Sequence, residues 1–249
     1  MTNLVVDIGN SFTKIAVFDQ DDIVFSDHST TLKEEKLHQI KEEFKVKNLI
    51  ISSVKKDIAF DESDLKKHFN YIRFDCFTPT PVKNKYKSPE TLGLDRLAAV
   101  VGAKHIFPSQ QVLVIDAGTC ITYDTINEEG EYYGGSISPG IKMRFEAMHQ
   151  FTSKLPLVNF EENFDKAFGD NSKDAISSGA INGVLFEVEG FIYQQVKKHP
   201  QSKIILCGGD SAFFDSRFKS SIFAHLILHE PNLVLIGLNT VFNYQHDHK

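Results

Sequence analysis

Asp7-Ile8-Gly9-Asn10-Ser11-Phe12-Thr13-Lys14 and Asp116-Ala117-Gly118-Thr119-Cys120-Ile121-Thr122-Tyr123-Asp124 lie nearly half the chain apart and carry one pattern. Each follows an apolar run, Leu4-Val5-Val6 in the first case and Val112-Leu113-Val114-Ile115 in the second. Each therefore reads as strand, acidic residue, glycine turn, second strand. The repeat implies two similar halves, each presenting a carboxylate and a turn to one cleft. Such a cleft suits a metal-bound nucleotide. Glycine lets backbone N–H groups come close to phosphate oxygens, the hydroxyls of Ser11 and Thr13 or of Thr119 and Thr122 can donate to them, and carboxylates can hold the accompanying metal ion. One D-x-G between apolar runs equally describes a plain hairpin turn. Two copies, with Asn10 and Thr119 directly after the glycine, favour nucleotide phosphate chemistry.

The 249 residues are 41% hydrophobic and 24% charged, enough apolar material for one large or two moderate cores. No apolar run approaches the roughly 20 residues that span a bilayer, and the N-terminus lacks a basic region and cleavage site, so a cytoplasmic protein without membrane contact is expected. Cys76, Cys120 and Cys207 are widely separated and form no C-x-x-C pair, which fits a reducing compartment and argues against a zinc site. A net charge of −6 argues against a nucleic-acid surface. It also repels ATP, so nucleotide binding must rely on a divalent cation and local donors. The histidines of the tail, Tyr244 to Lys249, read as a solvated end rather than a metal tract.

Outward from the first hairpin, Ile23 to Phe25 reads as a strand, Lys33 to Phe44 as a helix with Leu37, Ile40 and Phe44 on one face, and Asn48 to Val54 as a buried strand. A short helix over Leu65 to Phe69 and a strand over Tyr71 to Phe74 follow. The second half repeats the order: Tyr132 to Ser138, helices over Ile141 to Phe151 and Asp174 to Lys198, and strands over Lys203 to Leu206 and Ala224 to Leu228. This is an α/β pattern of two domains, 1–109 and 110–249, divided near Ser109. It resembles the superfamily of acetate and sugar kinases, heat-shock chaperone ATPases and actin, whose duplicated ribonuclease-H-like domains clasp ATP.

Between the halves runs Tyr86-Lys-Ser-Pro-Glu-Thr-Leu-Gly-Leu-Asp-Arg96. Leu94, Leu97, Ala98 and Val101 have helical spacing, which puts Asp95 off the apolar stripe in the first turn. A helix N-terminus favours a carboxylate, so Asp95 reads either as a cap or as a base that takes a proton from a substrate alcohol. Gly134-Gly-Ser-Ile-Ser-Pro-Gly140 and Asn171-Ser172-Lys-Asp-Ala-Ile-Ser-Ser-Gly179 each precede a helix and read as ligand sites or simple caps. Gly179 and Gly183 also read as close-packing positions. Cys207-Gly-Gly-Asp210 reads as a nucleotide-approaching turn or an ordinary strand end, and Asp124 as a strand end at the surface.

In this order the motifs resemble type III pantothenate kinases, from residue 4 to at least residue 210. The resemblance implies transfer of the ATP γ-phosphoryl group to pantothenate, with Mg2+ accompanying ATP, a monovalent K+ or NH4+ cofactor, and a homodimer. It implies that Asp7, Ile8, Gly9, Asn10, Ser11, Phe12, Thr13, Lys14 and Thr119 contact ATP and that Asp95 is the catalytic base. Tyr86, Gly93, Leu94, Asp95, Arg96 and Ser172 would contact pantothenate, and Asp116 the monovalent cation. Ser88 departs from the family's usual Asn, and Ser172 from its usual Thr. Small residues Ala98, Ala99 and Gly102 would admit a partner subunit's helix. Two competing readings are a sugar or polyphosphate enzyme of the same superfamily, which lacks the Tyr86 to Arg96 arrangement, and a non-catalytic regulator, which the presence of Asp7, Asp95 and Asp116 disfavours.

Overall fold

The structure, a computed structural model, describes residues 2–10, 12–54, 58 and 60–247. In chain order the elements are β1 (Thr2–Ile8), β2 (Thr13–Asp19), β3 (Asp22–Ser29), α1 (Glu34–Phe44), β4 (Asn48–Ser53), α2 (Glu62–His68), β5 (Asn70–Arg73), β6 (Lys83–Asn84) and α3 (Leu94–Ile106). They continue with β7 (Val112–Ala117), β8 (Cys120–Ile126), β9 (Glu131–Pro139), α4 (Ile141–Gln150), α5 (Ser172–Lys198), β10 (Lys203–Cys207), α6 (Ser211–Phe218), β11 (Ile227–His229) and α7 (Leu233–Asp247). Two compact units result: Met1–Ser109 with Glu128–Tyr133 and Asn232–Lys249, and Gln110–Asn127 with Gly134–Pro231.

The first unit holds a sheet of order β3-β2-β1-β4-β5, with β1 antiparallel to β2 and parallel to β4. In the second unit the order β9-β8-β7-β10-β11 repeats it, with β7 antiparallel to β8 and parallel to β10. This is the duplicated ribonuclease-H-like α/β fold that the sequence repeat predicted. Leu4, Val5 and Val6 are fully buried, as are Val114 and Ile115, because each central strand is covered on both faces. β6 pairs in parallel with Glu131 and Tyr132, which group with the first unit.

The division differs from a single cut near Ser109, because α7, which the sequence reading left out, belongs with the first unit. Its partner is α3. A Cβ on Gly237 would lie 1.8 Å from the Ala98 carbonyl oxygen, and one on Gly102 would lie 2.5 Å from the Leu233 carbonyl oxygen, so the two backbones touch. Gly102 and Ala98 therefore receive a helix of their own chain, which corrects their assignment to a partner subunit. Amides complete the joint. Asn3 Nδ2 donates to Asn239 Oδ1 at 2.7 Å and Asn243 Oδ1 at 2.8 Å, and Asn3 Oδ1 accepts from Asn48 at 2.8 Å. Buried amides satisfied in this way specify one docking of α7 on the sheet.

Other differences are local. α6 also went unread, and of the strand expected over Ala224 to Leu228 only Ile227 and Leu228 fall in β11, after a 3-10 turn over Ala224–Leu226. Asp124 lies inside β8 at 1% exposure rather than ending a strand at the surface. By composition alone α5 is long and apolar enough to cross a membrane, a run the sequence reading passed over. In the fold its Ile176, Ile181, Val184, Val188 and Ile192 pack into the core of the second unit. Gly179 and Gly183 of α5 meet nothing within 4 Å of a built Cβ, so they do not mark close packing within this chain.

Gly237→Ala should therefore lower stability by about 2–3 kcal/mol and Tm by about 4–10 °C, since a methyl cannot fit between α3 and α7. Gly190→Ala on α5, where a Cβ meets open space, should gain up to about 1 kcal/mol from helix propensity. Thermal denaturation of the two variants, read side by side, checks the contrast.

Candidate active site

Burial of β1 carries the chain to Asp7 and then forces a turn. Asp7 sits in register with Lys14 on β2 and Ser52 on β4. The turn is closed by the Gly9 N–H donating to the Phe12 carbonyl at 3.0 Å, and a Cβ on Gly9 would lie 3.0 Å from that oxygen. Ile8 and Gly9 are half-buried, Asn10 and Phe12 exposed, and Thr13 buried. Ser11 lies outside the described residues. The hairpin thus presents a carboxylate, a lysine and a tight backbone turn at one strand end. Ser52, beside Asp7, has a buried hydroxyl with no hydrogen-bond partner among the described residues.

Asp95 stands one residue into α3 from its first position, Leu94, with Gly93 at the cap. Its Oδ1 accepts from the Arg96 N–H at 2.8 Å, and a Cβ on Gly93 would lie 2.5 Å from that oxygen. The carboxylate thus lies back over the helix start, directly above Gly93. Asp95 is therefore not the helix cap, which is Gly93 with no side-chain hydrogen bond; its carboxylate accepts instead from the N–H of the residue that follows it. Arg96 is buried, and its guanidinium carbon lies 5.8 Å from the Tyr86 ring centre. Tyr86 stacks at 6.3 Å on Tyr132, a residue missed as part of this site because only its strand was legible. The Tyr86 N–H donates to Asn84 Oδ1 at 3.0 Å. Ser88 pairs its hydroxyl with that of Thr91 at 2.8 Å across a 3-10 turn over Pro89–Thr91, so serine serves this turn well.

The second unit repeats the hairpin with Asp116 in register with Thr122. The Thr122 hydroxyl is buried and has no hydrogen-bond partner among the described residues. Asp116 is half-buried and Thr119 exposed. Two remote motifs converge on this turn. A Cβ on Gly140 would lie 2.1 Å from the Gly118 carbonyl oxygen, and one on Gly208, whose φ is +92°, would lie 2.4 Å from Asp116 Oδ1. The Asp210 N–H donates to the Ala117 carbonyl at 2.8 Å. The glycines at 140 and 208 are therefore clearance positions that let β9 and β10 finish against the Asp116 turn. Burial pushes the Asp210 carboxyl above its ordinary range, against the pull of Lys142. Ser172 is exposed at the start of α5, where the Asn171 side chain accepts from the Asp174 N–H at 3.1 Å as a cap.

One cluster of the second unit had no sequence signal, because its members come from four elements. Tyr123 donates to Glu187 at 2.8 Å, Arg144 donates to it at 2.6 Å, and Ser138 hydrogen-bonds the same carboxylate. Burial opposes the charge on Glu187, yet the three hydrogen bonds outweigh it and hold the carboxyl below its usual range. Burial and the Glu187 carboxylate push the Tyr123 phenol far up. This network braces β8, β9, α4 and α5.

The profile of the type III pantothenate kinase family matches residues 3–194. A type III pantothenate kinase of Phocaeicola vulgatus is 42% identical over 248 residues, covering 97% of this chain and 98% of that one. Another, of Flavobacterium johnsoniae, is 39% identical over 251 residues, covering 98% of each. Among solved structures, a Baf family protein of Campylobacter jejuni aligns with TM-score 0.61 at 22% identity, over 98% of this chain and 99% of that one. An activator of 2-hydroxyisocaproyl-CoA dehydratase from Clostridium difficile, with bound ADPNP, aligns with TM-score 0.55 at 11% identity, over 100% and 97%. At these identities the two structures speak for the fold alone. The sequence relatives, matched almost end to end, place the chain more narrowly: it belongs to the type III pantothenate kinase family.

Proposed function

We propose that the protein transfers the γ-phosphoryl group of ATP to the primary hydroxyl of pantothenate, giving 4'-phosphopantothenate, the first step towards coenzyme A. The observation that carries this is family membership over nearly the full chain together with Asp7, Asp95 and Asp116 at the ends of their elements. The Tyr86 to Arg96 segment, with its stacked Arg96 and Tyr86, forms the pantothenate side, and Ser172 contributes a hydroxyl. The Asn10 backbone N–H and the Thr119 hydroxyl meet the phosphates of Mg-ATP.

Phosphoryl transfer asks for position and charge balance more than for covalent help from the protein. As the alcohol oxygen bonds to the γ-phosphorus, its proton passes to Asp95 and the bond to the ADP oxygen breaks. Asp95 Oδ1 is held by the Arg96 N–H, so Oδ2 is the oxygen that takes the proton. Asp116 suits the monovalent cation. The buried Thr122 hydroxyl beside it, without a hydrogen-bond partner among the described residues, is an oxygen ligand of the type that K+ takes and that NH4+ can donate to. The cation, when bound, offsets the repulsion between carboxylates and polyphosphate. A homodimer and cytoplasmic placement are part of the same proposal.

Two measurements test this reading. With Mg-ATP the purified protein should phosphorylate pantothenate and leave glucose, glycerol and acetate unchanged; turnover confined to a sugar would move it to another kinase class. Asp95→Asn keeps an oxygen that can accept from the Arg96 N–H but cannot take the proton. It should lower kcat at least about a hundredfold while ATP affinity and Tm stay near those of the parent. Retention of more than about a tenth of the rate would leave Asp95 with a structural role and nothing more.

A further inference from the structure

The first unit carries a second cluster of ligand-type side chains on α1 and α2. His38 and Glu34 lie one turn apart on α1, and Asp64 and His68 one turn apart on α2. One ligand atom each from His38, Asp64 and His68 falls within a sphere where all lie within 4.8 Å of one another. His38 Nε2 is 3.3 Å from Asp64 Oδ2, His68 Nδ1 is 3.1 Å from the same oxygen, and Glu34 Oε1 is 3.9 Å from His38 Nε2.

We propose that His38, Asp64 and His68, with Glu34 at the edge, form a binding site for a divalent transition metal ion of the Zn2+ class. Zinc takes imidazole nitrogen and carboxylate oxygen at about 2.0–2.1 Å in a tetrahedron, whose ligand-to-ligand edges are then about 3.3 Å. The 3.1 and 3.3 Å separations of the two imidazole nitrogens from Asp64 Oδ2 match two of those edges, and the third, between the nitrogens, lies within 4.8 Å. A hard ion such as Mg2+ or Ca2+ prefers an all-oxygen shell, so two imidazoles select against it.

The surroundings hold the donors in place. The Asp61 N–H donates to Glu34 Oε2 at 2.9 Å, which fixes that carboxylate and joins α1 to the start of α2. The His38 ring lies 5.9 Å from Phe69 and meets His68 edge to face at 5.0 Å. His68 Nδ1 also lies 2.9 Å from the Asp64 carbonyl oxygen, a contact that metal binding exchanges for ligation. Each side chain is partly exposed, with side-chain values of 24% for Glu34, 33% for His38, 33% for Asp64 and 43% for His68, which leaves an entry path and room for a water as fourth ligand. The cysteine pattern argued against zinc, but it does not report on donors brought together from two helices. Bound metal would clasp α1 to α2 across the 26-residue separation of His38 and Asp64. At about a hundred times its Kd, it would raise the folded-to-unfolded ratio about a hundredfold.

The test uses the untagged full chain after chelator treatment. Calorimetric titration with Zn2+ should show binding that raises Tm, and Co2+ should give the visible absorption of a tetrahedral centre. The double variant His38→Gln with His68→Gln should lose both signals while keeping the metal-free Tm near that of the parent. Asp64→Asn, of nearly equal volume, should weaken zinc at least about tenfold and serves if the double variant folds poorly. Failure of the parent to bind zinc, or undiminished binding by these variants, would leave the cluster as a set of helix-joining ion pairs and overturn the proposal.

Discussion

Backbone pairing on both sides of β1 and β7 is the constraint on which the rest of the structure depends. Each strand is hydrogen-bonded to an antiparallel neighbour and a parallel one and is covered on both faces, so its apolar residues lose nearly all exposure. Burying a side chain such as Val or Leu contributes about 1.5–3 kcal/mol. Sliding β1 by one residue would draw Asp7 into the place of Val6, in the dry middle of the sheet, at a cost of several kcal/mol for an uncompensated charge. Register is therefore strongly specified. The acidic side chains can stand only where the buried strands stop, and there the chain must also turn.

Turning beside a sheet leaves little space, and the glycines supply it. Gly208 passes so close to Asp116, and Gly140 to Gly118 and Thr119, that any side chain at either position would displace the turn. The same rule operates at Gly93, under the Asp95 carboxylate. Three motifs that read as separate along the chain are thus explained by one requirement, namely that backbone must approach the Gly118 turn, the Asp116 carboxylate and the Asp95 carboxylate closely.

Local pattern made the hairpins, the Asp95 helix and the repeat of sheet order legible in the sequence, because strand period, helix period and glycine turns are properties of adjacent residues. α7 was not legible as a partner of α3, since its meaning lies in a contact between Gly237 and Ala98 separated by more than half the chain. The small residues Ala98 and Gly102 gave a true signal of close approach but not the identity of what approaches. Asp124 was misplaced for a related reason: alternation along β8 does not say that Gly135 will press a second strand against it. The Glu187 network and the His38 cluster likewise gather residues from different elements, which no spacing rule reveals.

In the proposed function the carboxylates ending the buried strands act on the ions of the reaction rather than merely terminating sheets. The most direct measurement is the rate of pantothenate phosphorylation with K+ exchanged for Na+ at constant ionic strength, in the parent and in Asp116→Asn. The parent rate should fall sharply in Na+, and Asp116→Asn should lose most of that difference. Equal parent rates in the two salts, or an unchanged K+ response in the variant, would contradict that role.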